Sequence, residues 1–373
     1  MRATIHDVAK LAGVSPTTVS LVLNGKAGHI SQRARESVIE AARALDYHPN
    51  RTAVNLATRK TKMLGFVISN LENLFMIEML KGFLAEAKEH DYMVLTIYPG
   101  DKREGGASYE KLFRHRIVDG VVMPRSAFSD EIEIINMYDV VTTSGIPVIA
   151  LDIGLEGIHS KVVTVDNRLG GYLATKHLID YGHKRIGVIA GKHDYVSAQN
   201  RLLGYRDALE ESGIDYDESL VYTSDYTTDG GAETLPYLLG KNVTAVFAHN
   251  DMMAFGVYRA AKEFGLTIPK DLSVVGFDDV FLSQMTDVPL TTVAQPIVEI
   301  GQRTVKEIVG LINTGAMGDR MEKRKQAELS AKAEAGALDG QGKQVEKRED
   351  QGTDANQIWY QPVLKVRGST ARI

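Results

Sequence analysis

Alternation of short apolar runs with longer amphipathic segments, from Leu64 onward, constrains the fold more than any other feature of this sequence. It predicts strands at 64–68, 93–98, 120–123 and 148–151, with helices at 77–88 and 108–116. The pattern restarts at 162–165 and continues with strands at 186–190, 245–248 and 272–277 and helices at 169–181, 201–212 and 252–264. Alternation of this kind is typical of parallel sheets covered by helices. We therefore predict an α/β body, 63–373, of two doubly wound lobes, at about 63–160 and 161–290, with crossover segments after 290.

Several polar side chains directly follow predicted strands of this body. Ligands bind beyond the carboxyl ends of parallel strands, so a cleft between the lobes is the expected binding site. Carboxylates accept hydrogen bonds from two hydroxyls at once, which suits a sugar, and an arginine that opens helix 201–212 can grip a polar group with two donors. Taken singly, each such residue is more often a helix cap or a surface charge. The candidate effector-binding residues are Phe75, Met76, Asp152, Arg201, Asn250 and Asp278, with Asp251 and Asp279 beside them.

The first sixty residues predict a different structure. Thr4 and Asp7 form a capping box for a short helix that stops at Gly13. Ser15 is a good N-cap for a second helix, which ends at Asn24-Gly25, and Ser31 can cap a third. Two short helices joined by a tight turn indicate a helix-turn-helix domain at 1–49. A three-helix bundle with no role in DNA binding remains the alternative.

Charge is distributed unevenly along the chain. Residues 1–62 carry ten Lys or Arg against four Asp or Glu, a net charge of +6. Because the whole chain carries −5, the remaining residues carry −11. A basic head on an acidic body favours attraction of a polyanion at one end, although a chance fluctuation would look the same.

The second helix would enter the major groove with its N-terminus first. Pro16, Thr17 and Leu21 would then face base edges, while Ser15 and Ser20 would reach phosphates. The helix carries no Arg, Gln or Asn for bidentate readout of a base. Much of the sequence specificity must therefore come from elsewhere.

The segment 50–62 links head and body. Asn50 can cap a helix there, but the segment is too short to persist as an isolated helix in water. It could fold in the minor groove and drive Leu56 between base pairs, or it could be a simple tether.

Bulk composition excludes several classes of protein. No apolar run is long enough to cross a membrane, the N-terminus lacks a secretory signal, and the absence of cysteine excludes disulfides and thiolate metal sites. Motifs of metalloproteases, serine hydrolases and phosphate loops are missing. We therefore expect a cytoplasmic protein that is not an enzyme and needs no metal or cofactor. A sugar-binding protein or an enzyme with the same body fold is the alternative.

Dense motifs carry a family resemblance: Thr4-Ile5-His6-Asp7-Val8-Ala9, Ala12-Gly13-Val14-Ser15, Tyr47-His48-Pro49-Asn50-Arg51, Asn250-Asp251-Met252 and Gly276-Phe277-Asp278. Together they resemble the lactose/galactose repressor family of bacteria. The resemblance implies a body like the periplasmic sugar-binding proteins, homodimers on palindromic operators, a hinge helix at 50–57 with Leu56 intercalating, and effector contacts from Arg201 and Asp278. The positions assigned to DNA are Thr4, Ser15, Pro16, Thr17, Ser20, Leu21, Asn24, His29, Tyr47, Asn50, Arg51, Ala53 and Leu56. The loop Lys26-Ala27-Gly28-His29 is a residue longer than is common in that family.

The segment 316–357 departs from the family pattern. It is rich in charge and glycine and poor in large apolar residues, so it predicts a disordered insertion. The strand predicted after it spans 358–366. In all, the sequence predicts a DNA-binding transcriptional repressor controlled by a small-molecule effector, a sugar by the chemistry above.

Overall fold

A computed structural model describes residues 3–23, 25, 28–48, 60–68, 70–98, 113–124, 140, 143–151, 161–314 and 357–373. The chain divides into two compact units, Met1–Thr61 and Lys62–Ile373. Among the helices in these ranges, none combines the length and apolar character that crossing a bilayer requires.

The described part of the first unit contains three helices: α1 (Ile5–Ala12), α2 (Pro16–Leu23) and α3 (Gln32–Ala44). The predicted capping box is present, since the Thr4 amide and hydroxyl both donate to Asp7 Oδ2 at 2.8 and 2.7 Å. Gly13 ends α1 with φ of 68°, and Ser15 Oγ accepts from the Thr18 amide at 3.1 Å to begin α2. The helix-turn-helix prediction is confirmed at both of these ends.

A small apolar core holds the three helices together. Val8, Val19 and Val38 are fully buried there. Two large apolar residues of these helices lie outside this core: Leu11 is 57% exposed and Ile39 is 43% exposed. On α1 and α3 the buried face consists of one valine and small residues, which are Ala9 on α1 and Ala41 and Ala42 on α3.

In the residues that the structure describes, the second unit contains two sheets of six strands each. The first lobe is built on the order β11-β5-β4-β3-β1-β2, comprising β1 (Met63–Val67), β2 (Met93–Ile97), β3 (Gly120–Pro124), β4 (Val148–Leu151), β5 (Lys161–Val165) and β11 (Gln357–Tyr360). The second lobe is built on the order β12-β10-β9-β8-β6-β7, comprising β6 (Ile186–Ala190), β7 (Val221–Thr223), β8 (Ala245–Ala248), β9 (Ser273–Asp278), β10 (Thr291–Ala294) and β12 (Val363–Lys365). All described pairings are parallel except that of β10 with β12.

Two sequence predictions about these sheets are wrong. The second lobe does not start at 161, because β5 pairs with β4 in the first sheet, with Leu151 opposite Val163. The single final strand at 358–366 is two strands in different sheets, β11 and β12. Pro362, which has no amide hydrogen for a ladder, lies between them.

Helices cover both sheets: α4 (Leu74–Glu89), α5 (Asn167–Asp180), α6 (Val196–Glu211), α7 (Thr228–Leu239), α8 (Asp251–Glu263) and α9 (Ile297–Thr314). Helix α7 escapes the sequence prediction because it contains Gly230, Gly231 and Pro236, all poor helix formers. Most of the predicted helix 108–116 and nearly all of the predicted insertion at 316–357 lie outside the described residues.

Three helix pairs pack through reciprocal glycines. A Cβ on Gly171 of α5 would overlap the Arg201 carbonyl of α6, and a Cβ on Gly204 of α6 would overlap the Arg168 carbonyl of α5. Each helix therefore presses a glycine against the other's backbone. The pairs α4–α9 and α7–α8 are built in the same way, through Gly82 and Gly301 and through Gly231 and Gly256.

We predict that Gly171→Ala destabilises the second unit by about 2 kcal/mol, because the added methyl must push α6 away from α5. The matched control is Gly310→Ala in α9, where a Cβ would meet no atom within 4 Å. There alanine should stabilise by about 0.5–1 kcal/mol through helix propensity. The urea concentration at the unfolding midpoint should fall in Gly171→Ala and rise in Gly310→Ala. Equal midpoints for the two variants would contradict the packing argument.

Three buried histidines lie in the second lobe. His183 Nδ1 is 2.8 Å from Thr244 Oγ1 and its Nε2 is 3.0 Å from Ser273 Oγ, while His177 Nε2 is 2.9 Å from Thr370 Oγ1. Burial lowers the pKa of His177 and His183, and burial together with the Arg201 charge holds the pKa of His249 well below its usual range. All three stay neutral in the folded protein at neutral pH.

These lowered pKa values predict that the second unit loses stability in mild acid. Below about pH 6.5 the unfolded histidines take up protons while the folded ones do not, so protons favour the unfolded chain. The stability that neutral histidines contribute is therefore present above about pH 6.5 and is lost as the pH falls. Urea unfolding from pH 7.5 to 5.5 measures this slope, which should diminish in His177→Gln and persist in the exposed control His193→Gln.

Candidate effector site and DNA-binding surface

A cavity of about 210 Å³ opens between the two lobes, at the carboxyl ends of their strands. The first lobe contributes amide and apolar side chains, and the second contributes most of the charged and hydroxyl groups. Its lining residues are Asn70, Asn73, Phe75, Met76, Pro124, Leu151, Lys192, Tyr195, Ser197, Arg201, Asp225, Tyr226, Asn250, Asp278 and Gln295. This mixture of hydrogen-bonding groups and apolar surface is typical of sites for small polar ligands.

Arg201 is the buried cation of this cavity, only 5% exposed. It does not open its helix as predicted, because α6 begins at Val196. Its Nε donates to Asn167 Oδ1 at 2.8 Å, its Nη1 donates to the His249 carbonyl, and its guanidinium lies 3.6 Å from the centre of the Phe277 ring. These contacts fix the guanidinium in one orientation at the cavity.

Asp278 supplies a carboxylate from the last position of β9. Its backbone φ of 122° lies in a region that residues other than glycine rarely adopt. Asp279, the next residue, has a φ of 61°. Gln295 Nε2 donates to Asp278 Oδ1 at 2.7 Å. Strained backbone of this kind concentrates at functional sites, where the surrounding structure holds it in place.

The neighbouring polar residues have structural roles. Asn250 lines the cavity, but its Oδ1 caps α8 through the Met253 amide and its Nδ2 donates to the Tyr226 carbonyl. Asp251 is fully buried and accepts from Thr292 Oγ1 at 2.6 Å and from the Val280 amide at 2.9 Å. Burial, followed by the nearby Asp278, raises the pKa of Asp251 well above its usual range.

His249 directly follows β8 in the chain. Its Nδ1 accepts from the Gly191 amide at 3.2 Å, so the ring proton of the neutral form is on Nε2. That Nε2 is buried and has no hydrogen-bond partner among the described residues. With its lowered pKa, His249 acts as a neutral acceptor beside the Arg201 charge.

The structure brings five of the six predicted effector residues to this cavity: Phe75, Met76, Arg201, Asn250 and Asp278. Asp152 lies outside the described residues. Sequence reasoning missed Lys192, Tyr195 and Gln295, although each follows the carboxyl end of a strand, β6 or β10, and the same rule applied to those strands finds them. The candidate Asp279 instead forms an ion pair with Arg367 at 2.5 Å.

In the first unit, Thr17 and Leu21 are exposed on one face of α2, and Ser15 is exposed at its N-terminus. Pro16 and Ser20 are partly exposed on the same helix, and His29 is exposed in the loop after it. Thr4 is exposed but engaged in its capping box, and Tyr47 packs against the core of the head. Five further assigned positions lie outside the described residues: Asn24, Asn50, Arg51, Ala53 and Leu56.

Both units of the chain match known protein families. Residues 4–50 match the model for bacterial regulatory proteins of the lacI family, and residues 175–333 match the periplasmic binding protein-like domain. The chain is 35% identical over 302 residues to the HTH-type transcriptional regulator DegA of Bacillus subtilis, covering 81% of this chain and 89% of that protein. The chain belongs to the lacI family. The ribose operon repressor of Haemophilus influenzae is 34% identical to this lacI-family chain over 312 residues, covering 82% and 91%.

Solved structures agree with this assignment. A lac repressor dimer bound to operator and the anti-inducer ONPF superposes with a TM-score of 0.76 at 26% identity, over the full length of both chains. The chain is therefore a DNA-binding transcriptional regulator with an effector-binding body, and not an enzyme. The predicted fold class, a helix-turn-helix head and two parallel-sheet lobes, is confirmed.

Proposed function

We propose that this regulator is a homodimeric repressor that binds a palindromic operator through two helix-turn-helix heads. A sugar in the cavity between its lobes would change the affinity for that operator, either lowering it or raising it. The observation that carries the proposal is the joint presence of a capped, basic head and a polar cavity at the strand ends of the body. As a regulator of a bacterial chromosome, it would work in the cytoplasm.

The DNA-binding half of the proposal is supported by the surface of α2. Thr17 and Leu21 are one helical turn apart on its exposed face, and the Thr17 hydroxyl and methyl suit base edges in the major groove. The positive charge of residues 1–62 supplies sequence-independent attraction to phosphates. We assign Ser15 and Ser20 to those phosphates and the linker positions from Asn50 to Leu56 to the minor groove.

The sugar half of the proposal is supported by the chemistry of the cavity. Asp278 offers acceptors, Arg201 and Lys192 offer donors, and Phe75 and Met76 offer an apolar surface for the carbon face of a sugar ring. Among the relatives, one is named for a ribose operon. A neutral polyol fits this balance of two cations against the carboxylates of Asp225 and Asp278.

Control would follow from the geometry of a two-lobed body. A ligand that binds both lobes favours one angle between them, and it shifts the equilibrium only by its difference in affinity for the two arrangements. The angle would set the separation of the two linkers of a dimer, and with it their ability to fold together in the minor groove. Coupling of this type is typically about 1–3 kcal/mol.

Selection of duplexes from a randomised pool by the full-length protein tests the DNA-binding half. We expect a palindromic site bound far more tightly than random duplex, with an affinity that falls steeply with salt. Leu56→Ala should weaken that site roughly tenfold or more, since 1.4 kcal/mol is a factor of ten. If no palindrome is preferred over random duplex, the proposed binding of a palindromic operator fails.

Thermal shift against a panel of monosaccharides and disaccharides, beginning with D-ribose, tests the sugar half. A bound sugar raises the melting temperature with its concentration. Asp278→Asn keeps the acceptor for Gln295 and tolerates the positive φ, so it should fold normally and lose most of the shift. Arg201→Ala should also lose the shift, whereas Glu263→Gln on the exposed end of α8 should retain it. A full shift in both cavity variants would remove these residues from the site.

A further inference from the structure

Residues Asp278 to Phe281, here called the strap, run from the cavity in the second lobe to the surface of the first lobe. Each of these four consecutive residues is held by a different group. The strap is therefore fixed along its whole length, by groups of both lobes.

The cavity end of the strap is Asp278. Its carboxylate accepts from Gln295 Nε2 at 2.7 Å, and its carbonyl accepts from the Gln295 amide at 3.1 Å. With φ of 122° and 61°, Asp278 and the next residue adopt backbone conformations that they would leave if they were released. The conformation of the carboxylate therefore depends on what holds the rest of the strap.

The middle of the strap is fixed within the second lobe. Asp279 accepts from Arg367 at 2.5 Å, and Arg367 also donates to the Leu290 carbonyl at 2.8 Å. The Val280 amide donates to Asp251 Oδ2 at 2.9 Å. The Val280 side chain is fully buried in the apolar core of the first lobe, so the strap crosses between lobes at this residue.

The far end of the strap is fixed by the first lobe. The Phe281 amide donates to Glu78 Oε1 at 2.6 Å, and Lys81 Nζ lies 5.3 Å from the centre of the Phe281 ring. Both partners are on α4, whose first turn carries the cavity residues Phe75 and Met76. A carboxylate that accepts from a backbone amide makes a charge-assisted bond, stronger than a neutral one.

We propose that Glu78 is a positioning residue that holds the strap, and through it Asp278, against the first lobe. Occupancy of the cavity and the arrangement of the lobes are then coupled through one backbone segment. A ligand on Asp278 competes with Gln295 and loosens the strap at one end, while movement of α4 pulls it at the other. This inference rests on the proposed effector cavity.

Hydrogen–deuterium exchange, resolved to single amides on the full-length protein without ligand or DNA, tests the coupling. In Glu78→Ala the Phe281 amide should exchange about tenfold faster, and so should the Gln295 amide at the far end of the strap. Glu78→Gln keeps an acceptor and should restore most of the protection. The control is Glu89→Ala on the same helix, exposed and remote from the strap, which should leave both amides unchanged. Unchanged Gln295 exchange in Glu78→Ala overturns the proposal, because Glu78 would then act only locally.

Distances between the lobes, measured with spin labels, give a second test. Because the chain contains no cysteine, labels attach only at cysteines that are introduced. Spin labels on Gly310→Cys in α9, where a side chain meets open space, and on exposed Glu210→Cys in α6 report one lobe against the other. Labelled chains diluted with unlabelled ones restrict the signal to single subunits. Glu78→Ala should broaden or shift the distance distribution and Glu89→Ala should not.

Superimposable distributions for the parent and Glu78→Ala also overturn the proposal. Neither measurement uses an operator or a sugar, so a failure of the strap is distinguishable from a failure of the proposed function. A protein that selects no palindrome can still show the coupling, and one that represses normally can lack it.

Discussion

The buried guanidinium of Arg201 is the contact on which the geometry of the cavity depends. Burying a cation is costly unless its donors are satisfied, and no described carboxylate forms a salt bridge with it. Its partners are the Asn167 side chain at the start of α5, the His249 carbonyl after β8 and the face of Phe277 in β9. Three elements are thereby held at fixed positions around one side chain, and the close approach of α5 and α6 at Gly171 brings it there.

Burial shifts the pKa values of two further residues of the second lobe, His249 and Asp251. Burial, followed by the Arg201 guanidinium charge, lowers the pKa of His249, which leaves the ring neutral and able to accept from the Gly191 amide. Burial and Asp278 raise the pKa of Asp251, whose oxygens both accept from donors of the second lobe. The polar groups around the cavity are therefore divided into those that maintain its shape and those that remain for a ligand.

Sequence reasoning succeeds where a rule depends on chain order alone. Polar residues after parallel strands meet at one sheet edge, and this rule finds Asn250 and Asp278 in one cavity. Arg201 lines the same cavity, although the predicted reason, a place at the start of its helix, is wrong. It cannot find that Asn250 also caps α8, or that Asp279 is taken by Arg367 eighty-eight residues later, because those contacts depend on tertiary packing. Sheet membership fails for the same reason: β5 continues the alternating pattern, but only its pairing with β4 assigns it to the first lobe.

The side chains of α2 suggest a reason why the effector-binding body can control DNA binding by the helix-turn-helix head. Its sequence has no side chain that reads a base with two hydrogen bonds, each of which would supply about 1–3 kcal/mol of discrimination. Helix α2 alone therefore supplies little specificity, and under the proposed function the linker contacts and the pairing of two heads must supply the rest. The separation between the two heads then decides whether both can reach their half-sites at once. A body that alters this separation by a small movement between its lobes can control binding without touching the DNA.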